Sequence, residues 1–132
     1  MLYVDIVTGL AALQFMFFAM LVGKAREKYG IKAPATTGNE VFERHFRVQQ
    51  NSLESLLLFY PGLYLFAHYA SPTWAAILGA VFLAGRQLYA LTYVKDPAKR
   101  GPGFLIGMLP TMILLVGGLV MAVWSQIGHA AG

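Results

Sequence analysis

The chain of 132 residues contains no cysteine. That excludes disulfides, a thiolate metal site and a cysteine nucleophile, so any sulfur chemistry needs a thiol from outside the protein. Charge is scarce as well. Asp, Glu, Lys and Arg make up 12% of the residues, against about 25% in an ordinary soluble domain. The net charge of +4 does not indicate nucleic acid, because most Lys and Arg fall in clusters beside apolar stretches rather than along one soluble face. His45, His68 and His129 are dispersed with no HExxH spacing, so no metal is expected. Gly85, Gly101 and Gly103 form no phosphate-binding fingerprint, and no Ser-His-Asp set stands out. Ser52 and Ser55 read as helix hydrogen-bonders. No basic stretch precedes the first apolar run, and that run is too long for the core of a signal peptide; the first helix is expected to remain in the mature protein.

What is abundant is apolar surface, at 58% of residues. A soluble fold of this length could not hide it, whereas a bilayer accepts it provided that every backbone group is paired inside a helix. The reading is an all-α integral membrane four-helix bundle forming a single domain over residues 1–132. Its spans fall at about 6–22, 40–69, 73–93 and 104–127, each set against the roughly 20 residues that cross a bilayer. Pro61 and Pro110 fall inside spans, which neighbouring groups make tolerable. Lys and Arg occupy the first and third connections, while the second connection and both termini have none. The positive-inside rule then puts the two basic connections in the cytoplasm and both termini on the non-cytoplasmic side. Short connections make spans 2 and 3, and 3 and 4, antiparallel.

The second span is anomalous, because it is apolar only from Leu56 onward. From Asn39 it reads NEVFERHFRVQQNSLESLLLFYPG, and helical periodicity sets Glu43, Arg47, Gln50, Asn51 and Glu54 on one stripe. Ionisable groups at membrane depth face the bundle interior, pair with one another, or meet a ligand. An interhelical salt-bridge network is the structural alternative, but the stripe holds more groups than one pair requires. The third span ends GRQLYALTYVKDPAKR, with Arg86, Tyr89 and Tyr93 on one face and Arg100 just beyond. Interfacial tyrosines are common, and Tyr3 and Tyr29 read as such. An arginine on the same face favours a shared pocket for Tyr89 and Tyr93. Both stripes lie at the cytoplasmic ends of their spans, so they can form one site of arginines, phenols, the amides of Gln49, Gln50 and Asn51, and the Glu54 carboxylate. Guanidinium forks grip carboxylates, and a glutamate receives a cation. A small polyanion that also carries an ammonium, such as the γ-glutamyl tripeptide glutathione, fits.

With these residues in view the chain resembles the family of membrane-associated proteins in eicosanoid and glutathione metabolism (MAPEG). The resemblance covers nearly the whole chain and rests on FERHFRVQQNSLE, Phe42 to Glu54, and on GRQLYALTYVKDPAKRGPG, Gly85 to Gly103. It implies a homotrimer with sites between subunits that open to the cytoplasm and to lipid. Carried over position by position, it implies that Arg47, Asn51, Glu54, Tyr89, Tyr93 and Arg100 bind glutathione from one subunit, and Arg26 and Gln49 from its neighbour. Arg86 joins this set through its place in the second motif. Arg100 would be the catalytic residue, facing the sulfur and favouring the thiolate. Two positions depart from leukotriene C4 synthase: Ser55 replaces a tyrosine, and Glu27 replaces the second of two arginines. The latter favours a general transferase over the specialised synthase.

The expected activity is that of a membrane-bound glutathione transferase or glutathione-dependent peroxidase, with glutathione as co-substrate, a lipophilic electrophile or lipid hydroperoxide as the other, and no metal. The expected location is the bacterial inner membrane, or the endoplasmic reticulum for a eukaryotic source. A non-catalytic lipid presenter of the same fold is the alternative, but it would not need the arginine and tyrosine set. A channel would show polar residues through its full depth, and in span 2 they end near Glu54. Gly79, Gly85, Gly117 and Gly118 are expected to permit close helix packing. Asp5 has no assigned role.

Overall fold

The computed structural model describes residues 1–131. Four helices run through it: α1 (Leu2–Tyr29), α2 (Glu40–Tyr69), α3 (Pro72–Lys95) and α4 (Gly101–Ala131), with a single 3-10 turn at Pro97–Lys99 before the last. The ends follow from local chemistry. Gly30 adopts φ 68°, a left-handed conformation that closes α1 by returning its N–H to the Arg26 carbonyl. The Asn39 side chain accepts from the N–H groups of Val41 and Phe42 and opens α2. Ser71 caps α3 ahead of Pro72 at its first position, and Asp96 caps the 3-10 turn.

Each helix is longer than its apolar stretch, because helical geometry continues into polar residues that water can solvate. Three helices, α1, α3 and α4, are long and apolar enough to cross a membrane. α2 falls outside that class owing to Glu40, Glu43, Arg44, Arg47 and Glu54 in its first half. Its 30 residues measure about 45 Å at 1.5 Å per residue, against a hydrocarbon thickness of about 30 Å. The excess of about 15 Å lets about ten residues at the polar end emerge from the hydrocarbon, and Gln50 and Glu54 stay at membrane depth.

α2 and α3 form the central pair, with α1 packed against both from one side and α4 against both from the other. On the α1 side the contact is made by side chains. Val4, Val7 and Ala11 meet a core of Phe59, Leu63 and Phe82, in which the Phe59 and Phe82 rings stack with centroids 3.8 Å apart. On the α4 side the contact is made by backbone. A Cβ on Gly85 would strike the Gly107 nitrogen, and one on Gly62 would lie 2.8 Å from the Leu115 nitrogen. One on Gly118 would lie 2.7 Å from the Phe66 nitrogen. Small residues at helix contacts allow the close approach from which packing within a bilayer draws its energy.

Gly85→Ala is expected to force α3 and α4 apart and lower stability by about 1–3 kcal/mol, the usual range for overpacking. Gly9→Ala, whose Cβ meets nothing within 4 Å, should be neutral or stabilise by up to about 1 kcal/mol, since alanine is the better helix former. Thermal unfolding of both variants in detergent checks the difference, and equal melting temperatures would contradict it.

Candidate functional site

At the end of the bundle where α2 begins and α3 ends, a cavity of about 260 Å³ is lined by Arg47, Asn51, Tyr89, Tyr93, Arg100 and Phe104. α2 contributes Arg47 and Asn51, one turn apart on one stripe. α3 contributes Tyr89 and Tyr93, whose rings stack at 5.4 Å with a 20° tilt. Arg100 and Phe104 arrive from the start of α4, and the approach depends on Gly103. A Cβ there would lie 2.7 Å from the Tyr89 Cα, so a larger residue would lift both side chains away from the tyrosines.

Arg86 stands behind this wall rather than in it. It is 3% exposed, and its guanidinium reaches from α3 to α2, donating from Nη1 to Asn51 Oδ1 and from Nη2 to Ser52 Oγ, both at 2.8 Å. The same group lies over the Tyr89 ring, 4.4 Å from its centroid, a cation–π contact that is worth more when desolvated. Its Nε has no partner among the described residues. Arg86 takes one of the two lone pairs of the Asn51 oxygen and so orients the amide, whose N–H₂ is the donor it offers to a ligand. One buried cation thus fixes the polarity of the α2 wall and the position of the Tyr89 ring.

The structural alternative of a salt-bridge network is not what joins these helices. Among the described residues the one ion pair is Arg44–Glu40, 3.9 Å apart within α2. Arg47 and Arg100 therefore carry their charge at the cavity without a protein counter-ion. Arg100 makes one long contact, from Nη1 to the Pro97 carbonyl at 3.4 Å.

The remaining sequence-indicated residues lie outside this cavity. Glu54 is exposed on α2, and Gln49 and Gln50 are half-exposed there. Arg26 donates to the Ala35 carbonyl at 2.7 Å and lies over the Phe42 ring, so it braces the loop between α1 and α2. Glu43 accepts from the Gly38 N–H in that loop. Ser55 donates to the Asn51 carbonyl within α2. Among the described residues no group of three or more His, Asp or Glu is placed to hold a metal ion. Sequence reasoning missed Phe104, which reads as the first residue of an apolar span, and the specific role of Ser52 as the acceptor for Arg86.

The sequence pattern of the MAPEG family matches residues 4–120. The chain belongs to the MAPEG family. It is similar to an uncharacterized protein of Synechocystis sp., 52% identical over 95% of this chain and 91% of that one. Human microsomal glutathione S-transferase 2 is 39% identical over 88% of this chain and 80% of its own length. Leukotriene C4 synthase of Cavia porcellus is 34% identical over 71% and 63% respectively. Membership of this family, together with three helices of spanning length and apolarity, makes the chain an integral membrane protein.

The Arg86 link is measurable by a double-mutant cycle of Arg86→Met and Ser52→Ala. A coupling of about 1–2 kcal/mol is expected, as for hydrogen bonds to a charged group between helices in a membrane. Coupling within about 0.3 kcal/mol of zero in detergent unfolding, the limit of ordinary additivity, would mean that the bond does not hold the helices.

Proposed function

We propose that this MAPEG protein is a membrane-bound glutathione transferase, whose thiolate co-substrate attacks lipophilic electrophiles and reduces lipid hydroperoxides. The observation that carries the reading is the cavity in which two arginines without protein counter-ions, two stacked phenols and an asparagine amide converge. A small anion with several carboxylates suits that set, since guanidinium and amide N–H groups are all donors. The names of the mammalian relatives point the same way.

The physical mechanism needs no covalent group from the protein. A free thiol has a pKa near about 8.5 and is mostly protonated at neutral pH. A guanidinium beside the sulfur favours the charged form and lowers that value. Arg100 is assigned this role, with Arg47, Asn51, Tyr89 and Tyr93 holding the tripeptide. In conjugation the thiolate forms a sulfur–carbon bond and the electrophile's leaving group departs with its electron pair. In reduction two glutathione molecules become the disulfide, and the hydroperoxide becomes an alcohol and water. The protein supplies orientation and electrostatics.

The site is assigned to a homotrimer that opens toward the cytoplasm, with both termini on the other side. Support comes from the outward face of α2. Gln50, Glu54 and Leu57 lie on one stripe of that helix, with Leu57 70% and Leu53 44% exposed. Amides and a carboxylate facing lipid are costly, and another copy of the chain would cover them. Arg26 and Gln49, which line nothing in their own chain's cavity, are then assigned to a neighbour's, and Glu54 to the rim.

Glutathione is expected to give a thiolate absorption band on binding to detergent-purified protein, and the protein to conjugate it to a generic aromatic electrophile. Arg100→Ala should retain binding, lose the band, and slow conjugation at neutral pH by tenfold or more, since an adjacent cation shifts a pKa by about 1–3 units. Neither band nor conjugation in the wild type would overturn the reading. For assembly, Leu57→Cys should form disulfide-linked dimers on mild oxidation, because no other cysteine exists. Leu91→Cys, 56% exposed in the parent but on α3, should not. The reverse pattern would reject α2 as the contact.

A further inference from the structure

On the opposite side of the α2–α3 pair from the polar cavity, the structure holds a second concavity of about 230 Å³, between α1, α2 and α3. Its walls include Phe17, Leu21, Val48 and Leu91, and His45 and Lys95 stand at the end where α3 terminates. The two concavities are back to back. Val48 shares its helix with Arg47 and Asn51, and Ala90 adjoins Tyr89, yet the apolar members face one side and the polar members the other.

We propose that this notch is a binding site for an anionic bilayer phospholipid, with one acyl chain lying along the apolar wall and the phosphodiester at Lys95 and His45. Three observations on the molecule lead there. An apolar cavity of about 150 Å³ already takes an aromatic ring, so this one has room for a length of hydrocarbon chain. Along α3 it extends from Gln87 to Lys95, about 12 Å at 1.5 Å per residue, from within the membrane toward its surface. A lipid chain in such a notch replaces empty space with van der Waals contact, the main source of packing energy where lipid is the solvent.

The third observation is the charge of the rim. No lining residue is acidic. Lys95 has no ion pair among the described residues, and the neighbouring Asp96, which accepts from the Ala98 N–H in the 3-10 turn, is not one of the lining residues. Arg44 is held beside the rim by donating to the Val94 and Lys95 carbonyls at 3.1 and 3.4 Å, its charge partly offset by Glu40. An ammonium and an imidazole N–H at the mouth suit a phosphodiester. A choline head would bring a second cation to Lys95. The outward polar face of α2 that calls for another copy lies at Gln50, Glu54 and Leu57, away from this notch, which leaves it open to the bilayer. The proposal stands independently of the glutathione reading, since it uses no residue of that cavity.

The test introduces a reporter indole by Leu91→Trp in the full chain, with Trp74→Phe and Trp124→Phe removing the native ones. The protein is placed in phosphatidylcholine vesicles that contain an equal small fraction of dibrominated phosphatidylglycerol or dibrominated phosphatidylcholine. Quenching should show a roughly fivefold preference for the anionic lipid, the ratio that about 1 kcal/mol per surface cation confers. Lys95→Gln with His45→Gln should abolish the preference, while leaving quenching by the zwitterionic lipid unchanged. Equal quenching by both lipids in the parent would mean ordinary surrounding lipid and would overturn the proposal. So would no quenching by either, which would mean a notch covered by a second copy. Preferential quenching by dibrominated oleate, with none by the phosphatidylglycerol, would assign the notch to a free fatty acid and likewise reject the phospholipid.

Discussion

A guanidinium buried within the bundle has no water to turn to, and Arg86 finds its hydrogen bonds in the next helix instead. Two neutral oxygens, Asn51 Oδ1 and Ser52 Oγ, and the face of Tyr89 are its surroundings. Neutral acceptors leave its positive charge uncancelled, which a carboxylate partner would not. The wall of the polar cavity therefore combines a rigid α2–α3 contact with a positive field from Arg86, Arg47 and Arg100. A structural salt bridge would have given the rigidity and removed the field.

That contact also divides the molecule into two sides with different chemistry. Toward α4, glycines bring backbone against backbone, and Gly103 seats Arg100 and Phe104 over the tyrosines. Toward α1, bulky side chains interdigitate and leave a notch near the helix ends. The close approach matters more on the α4 side for the proposed reaction, in which Arg100 would reach a ligand held by another helix. An error of 1 Å in such positioning is costly to a reaction that depends on orientation.

Much of the polar cavity was legible in the sequence. Arg47 and Asn51 share a turn-spaced stripe, Tyr89 and Tyr93 share another, and antiparallel spans bring the two to one end of the bundle. Periodicity gives the angle of a side chain about its helix but not what covers that angle. Arg86 shares a face with Tyr89, yet its long side chain runs sideways to Ser52, which the spacing does not distinguish from an approach to ligand. Phe104 carried no polar signal, and only the backbone contact at Gly103 brings it to the cavity. The apolar notch was invisible for a related reason: Phe17, Leu21 and Val48 look like any apolar helix residues, and periodicity does not show the space left between their helices.

α2 was the helix whose composition fitted lipid least, and its outward face explains why. Along the middle of α1 and α4 the outward residues are apolar, as at Leu10, Leu13, Met16 and Met20 or Leu105, Leu109, Met112 and Val116. Those faces are satisfied by lipid. Gln50 and Glu54 are not, so α2 requires cover from protein or water to a degree that α1 and α4 do not. If a second copy supplies that cover, assembly and completion of the site become one event, because Gln49 lies on α2 beside the same face and Arg26 sits at the end of α1 over Phe42 of α2. A subunit inserted alone would then expose its polar stripe to lipid and lack part of its cavity. The cost of the exposed stripe would drive the association that brings the missing residues.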